Sequence, residues 1–349
     1  MFDLNRRIDA LDYVRGFALL GIILVNIFFL LKIKAPAPET ADASYLRFLY
    51  LFVEGRFYAI FSFLFGVGFY LFISRARAKG RPAYTLFLRR LIALFLFGII
   101  HLLSSNGDAL TVYAVCGLLI MPLYKVNRRV NLCAGVLLLI AVVAMSSKTL
   151  MPLPLVLLGL AAGQYGVFER LESKLRALSI SAVLVVIVAV SALMFHYSYA
   201  PATPFGYEIM LMEGQGDPLA HQFINIGIAL FPIVSITYVV LLVLALQSTV
   251  LRTLLSPLKY YGRAALTNYI GQTAMILIAG HVFDLFGNIT LLQSLYLSLA
   301  ICVIQIGFSY IWLRFFAYGP LEWFWRMLTY WEVPPLVKKR YVQKGKVVH

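Results

Sequence analysis

His101, Asp108, Glu54 and Asn26 are polar groups set in otherwise apolar sequence, and their types suit proton transfer. Asp108 follows His101 by seven residues and closes the short segment Ser104–Asp108. Glu54 and Arg56 stand at the start of a long apolar run, and Asn26 lies eleven residues beyond Arg15, about 16 Å further along a helix. A histidine beside carboxylates can work as a general base with an orienting acid. It can equally form a proton relay, or be a hydrogen-bonded core residue. Asn26 could orient a carbonyl or donate to an oxyanion.

A second set of polar groups lies at another depth. Asp12 and Arg15 are one helical turn apart and can pair. Arg263, Thr267, Asn268 and Gln272 open a later apolar run, with Asn268 and Gln272 on one helical face. Such a stripe faces either a partner helix, through interhelical hydrogen bonds, or a cavity. Arg15, Asp12, Arg263, Asn268 and Gln272 are therefore the candidates for lining a binding cavity. Glu322 and Arg326 are spaced for an i,i+4 ion pair. His281 is a weaker candidate, and His196 and His221 read as outer-loop residues. No His pair has metal-ligand spacing, and Cys116, Cys133 and Cys302 all lie in apolar runs, so no metal site is expected. A phosphate-binding P-loop, a Gly-x-Ser-x-Gly elbow and a His-Glu-x-x-His helix are all missing.

The elements that must carry these groups are transmembrane helices. Of 349 residues, 62% are hydrophobic and 13% charged, too apolar for a soluble domain of this length. Runs near 14–33, 57–74, 87–104, 109–125, 130–147, 150–167, 178–197, 223–247, 264–286 and 291–313 approach the length needed to cross about 30 Å. The expectation is an all-α, polytopic transmembrane helix bundle of about ten spans, forming one membrane domain over residues 1–349. Residues 314–349 would be an interfacial tail with an aromatic belt at Trp323, Trp325, Tyr330 and Trp331. With the N-terminus inside, every Lys and Arg except Lys32, Lys34, Arg47, Arg56 and Lys148 falls on the inner side. That asymmetry predicts both termini in the cytoplasm, with 198–222 as the main outer loop. The first run, Val14–Ile33, is too long for a signal-peptide core and reads as an uncleaved helix. The net charge of +15 then belongs with anionic lipid heads, not nucleic acid. Gly66, Gly68, Gly159 and Gly163 read as close helix contacts. Met151-Pro-Leu-Pro154 reads as a helix start and Pro232 as a kink.

Three stretches carry a resemblance to the YeiB-like family of bacterial polytopic membrane proteins. They are the run from Arg7 to Asn26, the run from Glu54 to Phe69 with His101 and Gly107-Asp108, and Gly262–Tyr269 with Gly319–Trp323. The opening Leu11-Asp-x-x-Arg15-Gly16 and downstream Asn26 are similar to those of the transmembrane acyltransferases that include heparan-α-glucosaminide N-acetyltransferase. The resemblance implies transfer from cytoplasmic acyl-coenzyme A to an acceptor on the far side, supported by a histidine, with His101 the positional match. On this reading Arg15, Arg263 and the 75–90 loop hold coenzyme A phosphates, and Asp108 or Glu54 tunes His101. A small-solute or proton-coupled transporter, or a lipid- or quinone-binding protein, is the alternative use of the same scaffold. Acyl-CoA is the expected co-substrate. Membrane lipids, an unidentified small molecule and a second copy of the chain are the partners considered, and the bacterial inner membrane is the expected location.

Overall fold

A computed structural model describes residues 8–104, 107–169, 175–201 and 218–338. All regular structure there is helical, apart from one isolated antiparallel bridge between Phe316 and Val337. The α-helices in chain order are α1 (Asp9–Leu30), α2 (Ala41–Phe48), α3 (Arg56–Ala78), α4 (Ala83–Leu102), α5 (Ala109–Ile120), α6 (Arg128–Ala144) and α7 (Pro152–Tyr165). They continue with α8 (Leu175–Ser198), α9 (Pro218–Ala245), α10 (Thr249–Leu254), α11 (Ser256–Arg263), α12 (Ala265–Val282), α13 (Leu291–Phe315) and α14 (Pro320–Tyr330).

Each of the ten expected runs lies on a helix, but among the described residues six segments are long and apolar enough to cross a membrane. These are α1, the joined α2–α3 segment, α4, most of α8, α9 and α13. The chain is a multi-pass membrane protein. The helices α5 and α7 are shorter, with 12 and 14 residues. Local chemistry ends both. Pro122 sits in a 3-10 turn, Met121–Lys125, that follows α5, and Gly166 closes α7 in the left-handed region at φ 63°. The α2–α3 segment was read only in part, because Asp42, Arg47 and Glu54 interrupt its apolar pattern. Asp42 is absorbed by accepting from the Leu292 N–H at the start of α13, and a π-helical turn, Leu49–Val53, joins α2 to α3. Residues 202–217, most of the expected outer loop, and the tail beyond Lys338 lie outside the described residues.

Small residues set the closest crossings. A Cβ on Gly66 would collide with the Val156 carbonyl, and one on Gly159 with the Phe63 carbonyl. Backbone therefore meets backbone between α3 and α7, as the glycine spacing predicted. Pro152 starts α7 at its first turn, and Pro232 lies inside α9. The aromatic tail docks instead of floating. The Trp325 indole donates to the Arg90 carbonyl at 2.9 Å, and the Arg90 guanidinium lies 3.5 Å from that ring. Glu322 and Arg326 form no ion pair. Glu322 accepts from the Leu266 and Thr267 N–H groups and from the Thr267 hydroxyl, so its charge caps the N-terminus of α12. Arg326 lies over the Tyr318 and Tyr330 rings.

Candidate active site

His101 occupies the last turn of α4, and Asp108 is the N-cap of α5. The seven-residue spacing returns the chain on itself, so both side chains share one buried spot. Asp108 divides its two oxygens. Oδ2 accepts from the Thr111 N–H at 2.6 Å and caps α5, while Oδ1 meets His101 Nδ1 at 2.9 Å. Gly98, one turn before His101, gives the carboxylate its space. A Cβ there would lie 2.5 Å from Asp108 Oδ2 and 2.7 Å from the Thr111 nitrogen.

The other imidazole nitrogen is held by a distant helix. His101 Nε2 lies 2.9 Å from Thr273 Oγ1 on α12. An ionised carboxylate can only accept, so the proton is assigned to Nδ1 and the lone pair to Nε2, where the Thr273 hydroxyl donates. Tyr269, one turn before Thr273, has its ring centroid 5.1 Å from that of His101. Its hydroxyl accepts from the Ala109 N–H at 3.4 Å. All of these side chains are buried or nearly so. The arrangement is an imidazole with one nitrogen on a carboxylate and the other on a hydroxyl, which is the layout of general-base chemistry.

The other singled-out residues fall elsewhere. The Glu54 carboxylate pairs with Lys148. Arg56, completely buried, donates to the Glu54 carbonyl at 2.5 Å and lies 5.0 Å from the Phe231 ring. Asn26 is half-buried on α1. Arg15 pairs with Asp12 at 3.1 Å and keeps part of its side chain exposed. Arg263 lies near Tyr260. Asn268 and Gln272 are spent within a buried network. Asn268 donates to the Tyr261 carbonyl and to Ser309, and Gln272 donates to the Tyr261 hydroxyl and the Leu19 carbonyl. Gln305 joins both ends by accepting from the Tyr261 hydroxyl and donating to the Asn268 carbonyl. The stripe thus seals α12 against α1, α11 and α13.

Sequence reasoning missed Thr273 and Tyr269 as neighbours of His101. They form their own i,i+4 stripe beside Asn268 and Gln272, and that offset was the available signal. An open cavity of about 500 Å³ lies away from His101, lined by Tyr70, Arg77, Tyr124, Lys125, Arg128 and Gln164 among others, with no carboxylate among the described residues that line it. Among the described residues, no group of three His, Cys, Asp or Glu could hold a metal ion.

Comparison with known proteins divides the chain in two. Residues 7–169 match the catalytic region of heparan-alpha-glucosaminide N-acetyltransferase, and residues 162–332 match the family described as protein of unknown function, DUF418. His101 and Asp108 come from the first region and Thr273 from the second. An uncharacterized 39.9 kDa protein encoded in the amylase 3' region of Bacillus acidopullulyticus is 54% identical, covering 97% of this chain and 98% of its own. The uncharacterized YxaH of Bacillus subtilis is 28% identical over 96% and 97%. The uncharacterized YeiB of Escherichia coli is 27% identical over 95% and 98%. No solved structure matches the chain.

Proposed function

The chain belongs to the YeiB-like DUF418 family of membrane proteins, and on that premise we propose that it is a membrane-embedded acyltransferase. It moves an acyl group from cytoplasmic acyl-coenzyme A to an acceptor at the outer face. The observation that carries this reading is the His101–Asp108 pair, buried within the region similar to an acetyltransferase catalytic region.

In this mechanism Asp108 holds the imidazole so that Nε2 faces the reaction, and stabilises the imidazolium that forms. His101 takes the acceptor proton. Burial of the site limits hydrolysis of the thioester. Donor phosphates are held on the basic side by Arg15, Arg263 and the 75–90 loop. The cavity rimmed by Arg77, Lys125 and Arg128 offers further cations, with no carboxylate among its described lining residues. The shorter helices α5, α6, α7 and α12 complete ten crossings, with both termini inside and the protein in the bacterial inner membrane. The one-sided distribution of Lys and Arg supports that orientation.

The test is calorimetric titration of the purified protein with acetyl-coenzyme A, alongside labelled-acetyl transfer to membrane glycans or lipids. His101→Ala should lower transfer about 100- to 10,000-fold with binding nearly intact. Arg15→Ala should weaken binding instead. Absence of acyl-coenzyme A binding by folded protein would overturn the enzyme reading and return the transporter, measurable as proton-coupled uptake into vesicles.

A further inference from the structure

A buried threonine in a helix commonly gives its hydroxyl to the carbonyl one turn earlier. This protein does so at Thr329, to Trp325 at 2.8 Å, and at Thr237, to Ile233 at 3.0 Å. Thr273 departs from that habit. Its hydroxyl goes to His101 Nε2 at 2.9 Å, across 172 positions of sequence, while the far side of the same ring rests on Asp108 at 2.9 Å. Carboxylate, imidazole and hydroxyl are therefore linked in series, which is how a weak alcohol is activated as a nucleophile. Tyr269, one turn away on the same helix face, accepts from Ala109 and has no acceptor for its own proton among the described residues. Its ring lies 5.1 Å from that of His101, which makes its O–H the candidate donor to an oxyanion forming at this site.

We propose that Thr273 is the nucleophile of a double-displacement reaction, holding the acyl group as an ester between donor and acceptor. This rests on acyl transfer at His101. In the first half, Thr273 Oγ1 bonds to the thioester carbonyl carbon and its proton passes to Nε2. The carbonyl π pair moves to oxygen, where the Tyr269 hydroxyl donates to it. When the carbonyl re-forms, the C–S bond breaks and its electron pair leaves with sulfur, which takes the proton from the imidazolium. Free coenzyme A thiol departs. In the second half, an acceptor hydroxyl or amine gives its proton to Nε2 and bonds to the ester carbon. The C–O bond to Thr273 breaks, and Oγ1 recovers the proton. Asp108 stays ionised throughout, and no further reactant is consumed. A covalent carrier inside the membrane also means that donor and acceptor need never occupy the site together.

The experiment mixes purified full-length protein with labelled acetyl-coenzyme A and no acceptor, quenches in acid, and maps the label by peptide mass spectrometry. The expected result is a stoichiometric burst of free coenzyme A and one acetyl ester, labile to hydroxylamine, on the peptide containing Thr273. Thr273→Ser should keep the burst. The near-isosteric Thr273→Val should lose it while still binding acetyl-coenzyme A, measured separately by titration. His101→Ala should slow the burst about 100- to 10,000-fold. Label on His101, or transfer by Thr273→Val within tenfold of the wild-type rate, overturns the proposal while acyl transfer itself stands. Absence of acetyl-coenzyme A binding by folded wild-type protein overturns both.

Discussion

Asp108→Asn separates the two jobs that one carboxylate performs. The wild-type side chain accepts twice, from the Thr111 N–H at 2.6 Å and from His101 Nδ1 at 2.9 Å. Asparagine offers the same outline with one acceptor and one donor. If its oxygen stays on Thr111, its NH₂ points at Nδ1, which must then accept, and the imidazole proton moves to Nε2. The Thr273 hydroxyl can accept from that N–H, so every hydrogen bond survives. If the oxygen faces His101 instead, NH₂ opposes N–H and the cap is lost, costing about 1 kcal/mol. The first arrangement wins, and it leaves His101 with no lone pair where a base is needed. The expected loss is about 10⁴-fold in acyl transfer, the size associated with reversing the tautomer in a hydrolase triad, or about 5.5 kcal/mol of barrier. The melting temperature should barely move. Asp108→Ala should lose the cap and strand Nδ1, destabilising by about 2–4 kcal/mol as well as abolishing transfer. The assay is single-turnover acetyl transfer beside a thermal melt of each variant. Asp108→Asn acting within tenfold of wild type would refute the reasoning and leave Asp108 a helix cap alone.

Three further expectations concern other parts of the molecule. Gly98→Ala places a methyl 2.5 Å from Asp108 Oδ2. It should cost about 1–3 kcal/mol and lower transfer by pushing α5 off α4, and an unchanged rate would count against the packing argument. Desolvation raises the Glu322 carboxyl above its ordinary 4.5, against hydrogen bonds from Thr267 and Leu266 that pull it back. A raised folded value favours the protonated form. That contribution is fully present below the unfolded value and is lost as pH rises through the folded one. Melting temperature should therefore fall over that window in the wild type and less so in Glu322→Gln, and parallel curves would dismiss the effect. In a background with Cys116, Cys133 and Cys302 replaced by serine, an external thiol reagent should modify Ser198→Cys and spare Ala78→Cys. The reverse pattern would invert the orientation.

Much of the architecture was legible because the bilayer writes strongly on sequence. Long apolar runs located α1, α4, α8, α9 and α13, and the glycines of α3 and α7 announced a backbone contact. His101 and Asp108 were legible as candidates because they stand seven residues apart in apolar sequence, though Glu54 was the other carboxylate candidate. What escaped were contacts made over long separations. Nothing local to Thr273 says that its hydroxyl leaves its own helix. Glu322 shows an i,i+4 arginine and ignores it, since two free N–H groups at the start of α12 offer a desolvated carboxylate more than an exposed ion pair does. The stripe at Asn268 and Gln272 was visible as polarity, but only packing revealed that α1, α11 and α13 consume it.

The site is assembled from both halves of the chain, and a ribosome delivers those halves in order. At about 5–20 residues per second, the stretch from Asp108 to Thr273 takes roughly 10–30 s to make. During that interval α4 and α5 can already sit in the membrane with the imidazole in place, while the hydroxyl that it grips and the helix that covers it are still unmade. A nascent chain thus carries the His101–Asp108 pair without its hydroxyl partner. The series of carboxylate, imidazole and hydroxyl is completed only as α12 inserts, late in synthesis and in one event.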